Sequence, residues 1–199
     1  MKIQPSRRHD GFTLVELLVV IAIIAVLAGA GFAAGAAAVN KAKRTKSLAT
    51  ATSLEAAVAN FYSEYNYPPK AIDQDTEVST DTDVQFLNAL SGYTETASPP
   101  LNLRAVKFLS TREGKNKKDG LIIKGTGSST TTEGLYDPWG GPYIVKLDGD
   151  YDEVVQPKLS ANGASSPTLN GRKSAVWSNG ADGVKGGGTV GDDVITWQK

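Results

Sequence analysis

The carboxylate of Glu16 lies just inside a long uncharged apolar run, which is an expensive place for a charge. From Leu17 to Val39 the chain has no charged residue. A charge near the hydrocarbon of a bilayer costs on the order of 3 kcal/mol, so such a carboxylate usually has a compensating partner. A cationic amine that met Glu16 in a low-dielectric core would be that partner, since neither group would be tolerated there alone. The alternative is that Glu16 snorkels to the headgroups at the end of an ordinary membrane anchor.

Three aspartates near the C-terminus bracket a glycine-rich loop. Asp182 precedes residues 183–191, and Asp192 and Asp193 follow them. Glycines leave few side chains to pack, so a ligand that tied the two ends together would order this loop. Calcium takes six to eight oxygen ligands in irregular geometry, whereas zinc prefers nitrogen and sulfur, and the chain has no cysteine and one histidine. The aspartates therefore suit calcium better than zinc, and a solvated acidic turn is the alternative.

A second acidic cluster, Asp148, Asp150 and Asp152, has the one, three, five spacing of an EF-hand loop. The sixth position of that loop is Glu153 instead of glycine, and the twelfth is Leu159 instead of glutamate. We therefore predict a hairpin turn here, and the sequence leaves open whether these aspartates bind a second ion.

The residues that common enzyme mechanisms need are missing from the chain. After residue 11 there is no histidine and no cysteine, and no G-x-S-x-G, P-loop or dinucleotide-binding fingerprint occurs. The 21 basic residues balance the 21 acidic ones, so no global charge favours nucleic acid as a partner. These observations predict a structural protein that is not an enzyme and does not bind nucleic acid.

One long helix should position Glu16. The apolar run is long enough to cross a bilayer, at about 20 residues a crossing. The helical pattern then continues until Pro68 and Pro69, which end it, so we predict one helix of about 50 residues. Small residues in its first half would let helices approach closely, and a flexible Ala/Gly tether is the alternative. The predicted apolar face of its second half comprises Leu48, Ala51, Leu54, Val58, Phe61, Tyr62 and Tyr65.

The rest of the chain predicts a short helix, several strands and a soluble charged loop. The helix should cover residues 83–90, and the turn chemistry of residues 137–143 surrounds a buried aromatic side chain. Short connections favour antiparallel pairing. Residues 112–119 are a charged run whose lysines could contact an acidic partner, although a soluble loop is the simpler interpretation. The predicted strands are residues 106–109, 121–123, 143–147, 175–178 and 194–197.

The segment G-F-T-L-V-E, residues 11–16, resembles the processing site of type IV prepilins and type II secretion pseudopilins. This resemblance implies that a prepilin peptidase cleaves after Gly11 and that the new terminal residue, Phe12, is N-methylated. It also implies that Glu16 pairs with the terminal amine of a neighbouring subunit in a homo-oligomeric helical filament.

Two C-terminal segments, D-P-W-G-G-P-Y at residues 137–143 and the glycine-rich tail, resemble the major pseudopilin of type II secretion. The resemblance implies an α+β, type IV pilin-like fold, in which a long N-terminal helix with a membrane-spanning first half packs on a small antiparallel sheet with a C-terminal metal-binding loop. It also implies structural Ca²⁺ at Asp182, Asp192 and Asp193. The lack of cysteine departs from many type IV pilins, which close the C-terminal region with a disulfide.

These expectations give a layout of leader peptide (1–11), transmembrane and filament-core helix (12–39), amphipathic continuation (40–67) and globular periplasmic head (68–199). The leader has Lys2, Arg7 and Arg8 against Asp10, which predicts a cytoplasmic leader and a single-pass protein of the bacterial inner membrane. Expected partners are the prepilin peptidase, other copies of the chain, other pseudopilins and inner-membrane proteins of the secretion system. The alternatives are a type IV pilin of a surface pilus, used in adhesion, motility or DNA uptake, and a membrane-anchored binding or hydrolytic domain.

Overall fold

The computed structural model describes residues 12–96, 98–158, 167–184 and 192–197. Its longest element is α1 (Leu14–Tyr65), an uninterrupted helix of 52 residues. The prediction of a single helix of about 50 residues is confirmed. The helix ends where Asn66 adopts a left-handed backbone conformation (φ 59°) and its N–H donates to the carbonyl of Tyr62 at 2.8 Å. This is the geometry of a helix C-terminus, and it precedes the two prolines.

The chain divides into two compact units, residues 1–41 and residues 42–199. In the first unit, α1 carries a row of large apolar side chains that are more than two-fifths exposed, from Leu14 to Leu27, and Phe12 before the helix is exposed as well. Among the residues that the structure describes, no helix combines the length and the apolar character that crossing a membrane requires.

The second unit contains a four-stranded antiparallel sheet in the order β1, β4, β7, β8, as the short connections predicted. Strands β2 and β3 form a separate antiparallel pair, and so do β5 and β6. The strands are β1 (Thr76–Ser79), β2 (Gly120–Lys124), β3 (Thr131–Tyr136), β4 (Tyr143–Leu147), β5 (Val154–Val155), β6 (Leu169–Asn170), β7 (Ser174–Ser178) and β8 (Val194–Ile195).

The core of this unit lies between the second half of α1, the sheet and a short helix, α2 (Val84–Ser91). Most of the predicted apolar face of α1 is buried, but Leu48 is 40% exposed, so its assignment to that face was wrong. The buried residue at this level is Ser47, whose hydroxyl lies 3.2 Å from the hydroxyl of Tyr143 on β4. A polar contact therefore replaces an apolar one where the helix first meets the sheet.

The predicted helix at residues 83–90 is confirmed as α2. The carboxylate of Asp83 accepts the N–H of Phe86 at 3.1 Å and caps its first turn. At the other end, Gly92 adopts a left-handed conformation (φ 67°), which is typical of the residue that ends a helix.

The predicted strand at residues 106–109 is wrong. The N–H groups of Phe108 and Leu109 both donate to the carbonyl of Leu90, at 2.9 and 2.8 Å, so this segment serves the end of α2. Asn102 holds the same segment, since its side-chain amide bonds the carbonyls of Ala89 and Val106, both at 2.7 Å. The segment contains apolar residues because it packs beside the end of a helix. Such a segment has no regular spacing of apolar residues, so the sequence did not distinguish it from a strand.

Strands β2, β4 and β7 lie where the sequence predicted them, whereas β1, β3, β5 and β6 were not predicted. The last predicted strand is shorter than expected: β8 ends at Ile195 and the chain then bends. The ring of Trp197 packs edge-on against Trp177, with 5.9 Å between ring centroids. Beyond β8, the N–H of Thr196 still donates to the carbonyl of Val176 on β7 at 3.1 Å, and the packing of Trp197 then holds the end of the described chain.

The turn predicted at residues 137–143 is present and is organised by the buried carboxylate of Asp137. Its Oδ1 accepts the N–H groups of Trp139, Gly140 and Gly141 at 2.7 to 2.9 Å, and its Oδ2 accepts the hydroxyl of Ser178 on β7. The turn therefore delivers the fully buried Tyr143 to the first position of β4.

Candidate functional site

The first candidate site is the start of α1, where the sequence predicted processing and assembly. Gly11 lies outside the described residues. Phe12 is 79% exposed, so its aromatic side chain is available to another molecule. Thr13 and Glu16 contact each other at the first turn of the helix.

Thr13 and Glu16 form a capping box. The Thr13 N–H and hydroxyl both donate to Oε2 of Glu16, at 2.8 and 2.7 Å, and the Glu16 N–H donates to the Thr13 hydroxyl at 3.3 Å. This arrangement satisfies backbone donors that the first helical turn leaves without partners. This capping box was not predicted, although the T-x-x-E spacing of residues 13–16 is the signal that identifies it.

The capping box leaves Glu16 available for a second interaction. Both Thr13 groups use Oε2, so Oε1 can still accept a hydrogen bond from a cationic amine, and the side chain is exposed. Glu16 thus has a role within its own chain in addition to the intermolecular one that the sequence predicted.

The second candidate site is the acidic C-terminal region. Oδ2 of Asp192 accepts the N–H groups of Ala181 and Asp182, both at 3.0 Å, and Oδ1 of Asp182 accepts the N–H of Val184 at 2.8 Å. The two ends of the glycine-rich loop are therefore joined through Asp192. Arg44 of α1 donates to the backbone carbonyl of Asp193 at 3.3 Å.

Buried oxygens in this region are suited to a cation. Oδ1 of Asp192 and the side-chain oxygen of Asn179 are both buried and have no hydrogen-bond partner among the described residues. The three predicted ligands do not form a tight carboxylate cluster within the described part of the chain. Residues 185–191, whose carbonyls belong to the predicted calcium loop, lie outside the described residues.

The described residues do contain one group of three carboxylates whose oxygens all lie within 4.8 Å of one another: Asp75, Asp148 and Asp150. Asp152 is not part of this group, and its carboxylate accepts the N–H of Val154 at 2.7 Å. Asp75 was not predicted to join these aspartates, because Asp75 precedes β1 and only the pairing of β1 with β4 brings it next to Asp148.

The prediction of a hairpin turn at residues 148–152 was wrong in one respect. The chain does turn there, but β4 and β5, which flank the turn, belong to different sheets and do not pair. The buried carboxylate of Asp148 accepts the N–H groups of Tyr151 and Glu153, at 2.8 and 3.2 Å, and redirects the chain. The aspartate spacing reflects this turn, which explains its partial likeness to an EF-hand loop.

Burial and mutual repulsion perturb the ionisable groups of this cluster. Desolvation raises the pKa of Asp75, and the N–H of Gly149 opposes that shift by donating to its carboxylate. Desolvation and the charge of Asp148 raise the pKa of the Tyr62 hydroxyl. Tyr62 therefore stays protonated and donates to the backbone carbonyl of Asp148, which fixes the turn to α1.

Comparison with known proteins gives one match. The family described as the prokaryotic N-terminal methylation motif matches residues 6–32, which include Gly11, Phe12 and Glu16. No curated protein and no solved structure matches the chain. The match agrees with the processing junction, and the long helix beside an antiparallel sheet is consistent with an α+β pilin-like fold. Together these observations support a type IV pilin-like precursor that a prepilin peptidase processes.

Proposed function

We propose that the chain is a pseudopilin, a structural subunit of a periplasmic filament that serves type II protein secretion. A prepilin peptidase would cleave it after Gly11 and Phe12 would be N-methylated. The observation that carries the proposal is the match of the methylation motif to residues 6–32, because it spans both the cleavage junction and Glu16.

Assembly would use the start of α1. The terminal amine of one processed subunit would pair with Glu16 of a neighbour, and the exposed apolar side chains between Phe12 and Leu27 would pack against other helices. Two groups that are costly to bury alone would then neutralise each other. Before assembly, the uncharged run from Leu17 to Val39 would hold the subunit in the inner membrane, with the leader cytoplasmic and the head periplasmic.

Two sequence features favour a pseudopilin over the pilin of a surface pilus. The chain has no cysteine, and the D-P-W-G-G-P-Y turn and the glycine-rich tail resemble the major pseudopilin. The Asp137 carboxylate gives the first of these motifs a structural role, since it bonds three backbone N–H groups of its own turn. We further propose that the protein acts mechanically and is not an enzyme.

A structural Ca²⁺ ion is also part of the proposal. The buried Oδ1 of Asp192 would be one ligand, with Asp182 and Asp193 as the others. Oxygen donors are the ligands that calcium prefers. When bound, the ion would neutralise the acidic C-terminal region and hold the two ends of the loop together.

Deletion of the gene distinguishes the proposed function from its alternatives. We expect the mutant to retain folded secretion substrates in the periplasm, and we expect a plasmid copy of the wild-type chain to restore their export. A mutant that exports these proteins normally, but loses surface filaments together with adhesion, motility or DNA uptake, would show that the chain is a type IV pilin. Normal export with a monomeric, unprocessed chain would favour the membrane-anchored domain.

A further inference from the structure

Three lysines in the second unit form an exposed basic tip that the proposed function does not use. They belong to residues 115–118, which we call the lysine hairpin, and they are Lys115, Lys117 and Lys118. Among the described residues, no carboxylate lies within ion-pair distance of any of the three. The charges of the lysine hairpin are therefore presented to solvent or to a partner.

The lysine hairpin has a fixed conformation. The backbone groups of Lys115 and Lys118 exchange two hydrogen bonds, at 3.1 and 3.0 Å, and the two central residues adopt left-handed conformations. Asn116 has a φ of 53° and Lys117 a φ of 55°, which is uncommon for a lysine. The following residue, Asp119, donates its N–H to the carbonyl of Asp137 at 2.8 Å, which ties the hairpin to the buried turn. The backbone that carries the lysines is thus held in place.

A smaller acidic patch lies elsewhere in the same unit. It consists of the exposed Asp150, the partly buried Asp75 and the buried Asp148. Two cations face it: Lys146 lies 3.9 Å from Asp75, and Lys173 lies 3.6 Å from Asp148. Asp150 is exposed and has no ion pair among the described residues. This patch therefore retains a carboxylate that could bind an external cation such as a lysine side chain.

The two charged surfaces lie at different levels along α1. Asp119, beside the lysine hairpin, pairs with Lys46 of α1 at 2.5 Å. Asp148, in the acidic patch, accepts the hydroxyl of Tyr62 of α1 at its carbonyl. At 1.5 Å per residue, these two levels are about 24 Å apart along the helix axis. The lysines of one copy therefore cannot reach the acidic patch of the same copy.

We propose that the lysine hairpin of one copy docks on the acidic patch of the next copy. This inference rests on the proposed filament, in which copies are related by translation along the helix direction. Two different, complementary surfaces at different levels give a head-to-tail contact that does not close, which is what a filament requires. Opposite charges would also select the correct register between copies, because like charges would meet in the other registers.

Cysteine cross-linking tests the contact directly, since the chain has no cysteine of its own. The full-length variant carrying both Lys117→Cys and Asp150→Cys is produced in the native host and treated with a short bis-maleimide, because a lysine–aspartate pair leaves the two Cα atoms farther apart than the about 6.8 Å that a disulfide allows. The two cysteines of one copy lie too far apart for this reagent to join them. We expect a ladder of covalent dimers, trimers and longer oligomers on a denaturing gel, which is absent without the reagent.

The matched control pairs Lys117→Cys with Lys107→Cys, because Lys107 is also an exposed lysine but lies outside both surfaces. Neither this control nor either single variant should give a ladder. Filaments in the micrograph without a ladder from the Lys117/Asp150 variant would overturn this inference and leave the proposed function intact. An equal ladder from the control would overturn it as well. If the wild-type chain forms no filaments, both the proposed function and this inference fail.

A charge exchange gives an independent test. Lys117→Glu should reduce the number of filaments at least several-fold, and Asp150→Lys should do the same, because each places like charges in contact. The double variant, Lys117→Glu with Asp150→Lys, should restore filaments, whereas Lys107→Glu should leave their number unchanged. A double variant that is no better than either single one, with all variants equally abundant in the membrane, would contradict the contact.

Discussion

At the scale of single residues, Glu16 has two separable properties: an acceptor oxygen that completes the capping box with Thr13, and a negative charge. The first follows from hydrogen bonds of 2.7 and 2.8 Å within one chain, and the second is what the proposed assembly uses. A substitution that removes both cannot distinguish them. Glutamine is accepted at this position of a capping box, so it retains the first property and removes the second.

We expect Glu16→Gln to keep the helix start and to abolish filaments while membrane insertion survives. Thr13→Ala should weaken the helix start and keep the filaments, because it removes a helix cap worth about 1 kcal/mol and leaves the carboxylate in place. Glu16→Ala should lose both the box and the filaments. Electron micrographs give the filament counts, and normal counts for Glu16→Gln would show that the charge of Glu16 has no part in assembly.

The pKa of Asp75 provides a second prediction at this scale. Desolvation raises this pKa above the ordinary value of 3.8, so the folded state favours the protonated carboxyl. Its ionisation therefore lowers the free energy of unfolding as pH rises above that value. We expect Asp75→Asn to be more stable than the wild type at neutral pH, since the amide oxygen can still accept the N–H of Gly149.

The pH dependence of the difference in stability between Asp75→Asn and the wild type tests whether the raised pKa is its cause. Urea unfolding of both proteins in a chelating buffer should show the advantage of Asp75→Asn disappearing as pH falls below the ordinary value. A variant that is less stable than the wild type at neutral pH would mean that the ion pair with Lys146 outweighs the desolvation of Asp75.

At the scale of elements, strands with a clear apolar pattern were predicted, whereas strands that are polar or only two residues long were missed. Residues 121–123 and 143–147 are rich in β-branched and other apolar residues, and both lie in strands. Strand β1 (Thr76–Ser79) is T-E-V-S, with one apolar residue, and its ladder with β4 determines its structure. The apolar residues 106–109 were assigned to a strand because their partner, the end of α2, is distant in sequence.

The candidate site residues likewise fall into those that a local sequence pattern indicates and those that only the fold brings together. Glu16 and the C-terminal aspartates stand out by residue type and spacing, so the sequence alone named them as candidates. The carboxylates of Asp75 and Asp148 are far apart in sequence and meet only through strand pairing, so no local pattern could have joined them. The turn beside them depends on one glycine whose contact is also distant in sequence.

Gly149→Ala should destabilise the fold by about 1 to 3 kcal/mol, the usual cost of overpacking a close contact. A Cβ atom there would lie 2.2 Å from the carbonyl oxygen of Gln74, and backbone atoms cannot move aside as a flexible side chain can. Gly35→Ala is the control, because a Cβ at that position meets nothing within 4 Å. Thermal unfolding measures both variants, and a wild-type melting temperature for Gly149→Ala would show that the turn can relax.

At the scale of the whole molecule, calcium should stabilise the fold. An ion that binds only the folded state contributes about 2.7 kcal/mol at a hundredfold excess over its Kd. We expect a chelator to lower the melting temperature of the full-length chain in detergent. Asp192→Asn keeps an oxygen for the N–H groups of Ala181 and Asp182 but loses the charge, so it should no longer respond to calcium.

Asp150→Asn separates this site from the other acidic cluster. If the ion binds at the C-terminal aspartates, Asp150→Asn should still respond to calcium as the wild type does. The opposite pattern, in which Asp150→Asn loses the response and Asp192→Asn keeps it, would place the ion at Asp75, Asp148 and Asp150. Identical wild-type melting curves with and without the chelator would show that calcium does not stabilise the fold.

A type IV pilin-like precursor that is processed after Gly11 has a mature form that begins at Phe12. Mass spectrometry of the intact protein purified from its native membrane distinguishes this form from the unprocessed chain. We predict a mass that lacks residues 1–11 and includes one added methyl group, and we predict that replacing Gly11 leaves the leader attached. A wild-type protein from that membrane that still begins at Met1 would show that the chain is not such a precursor.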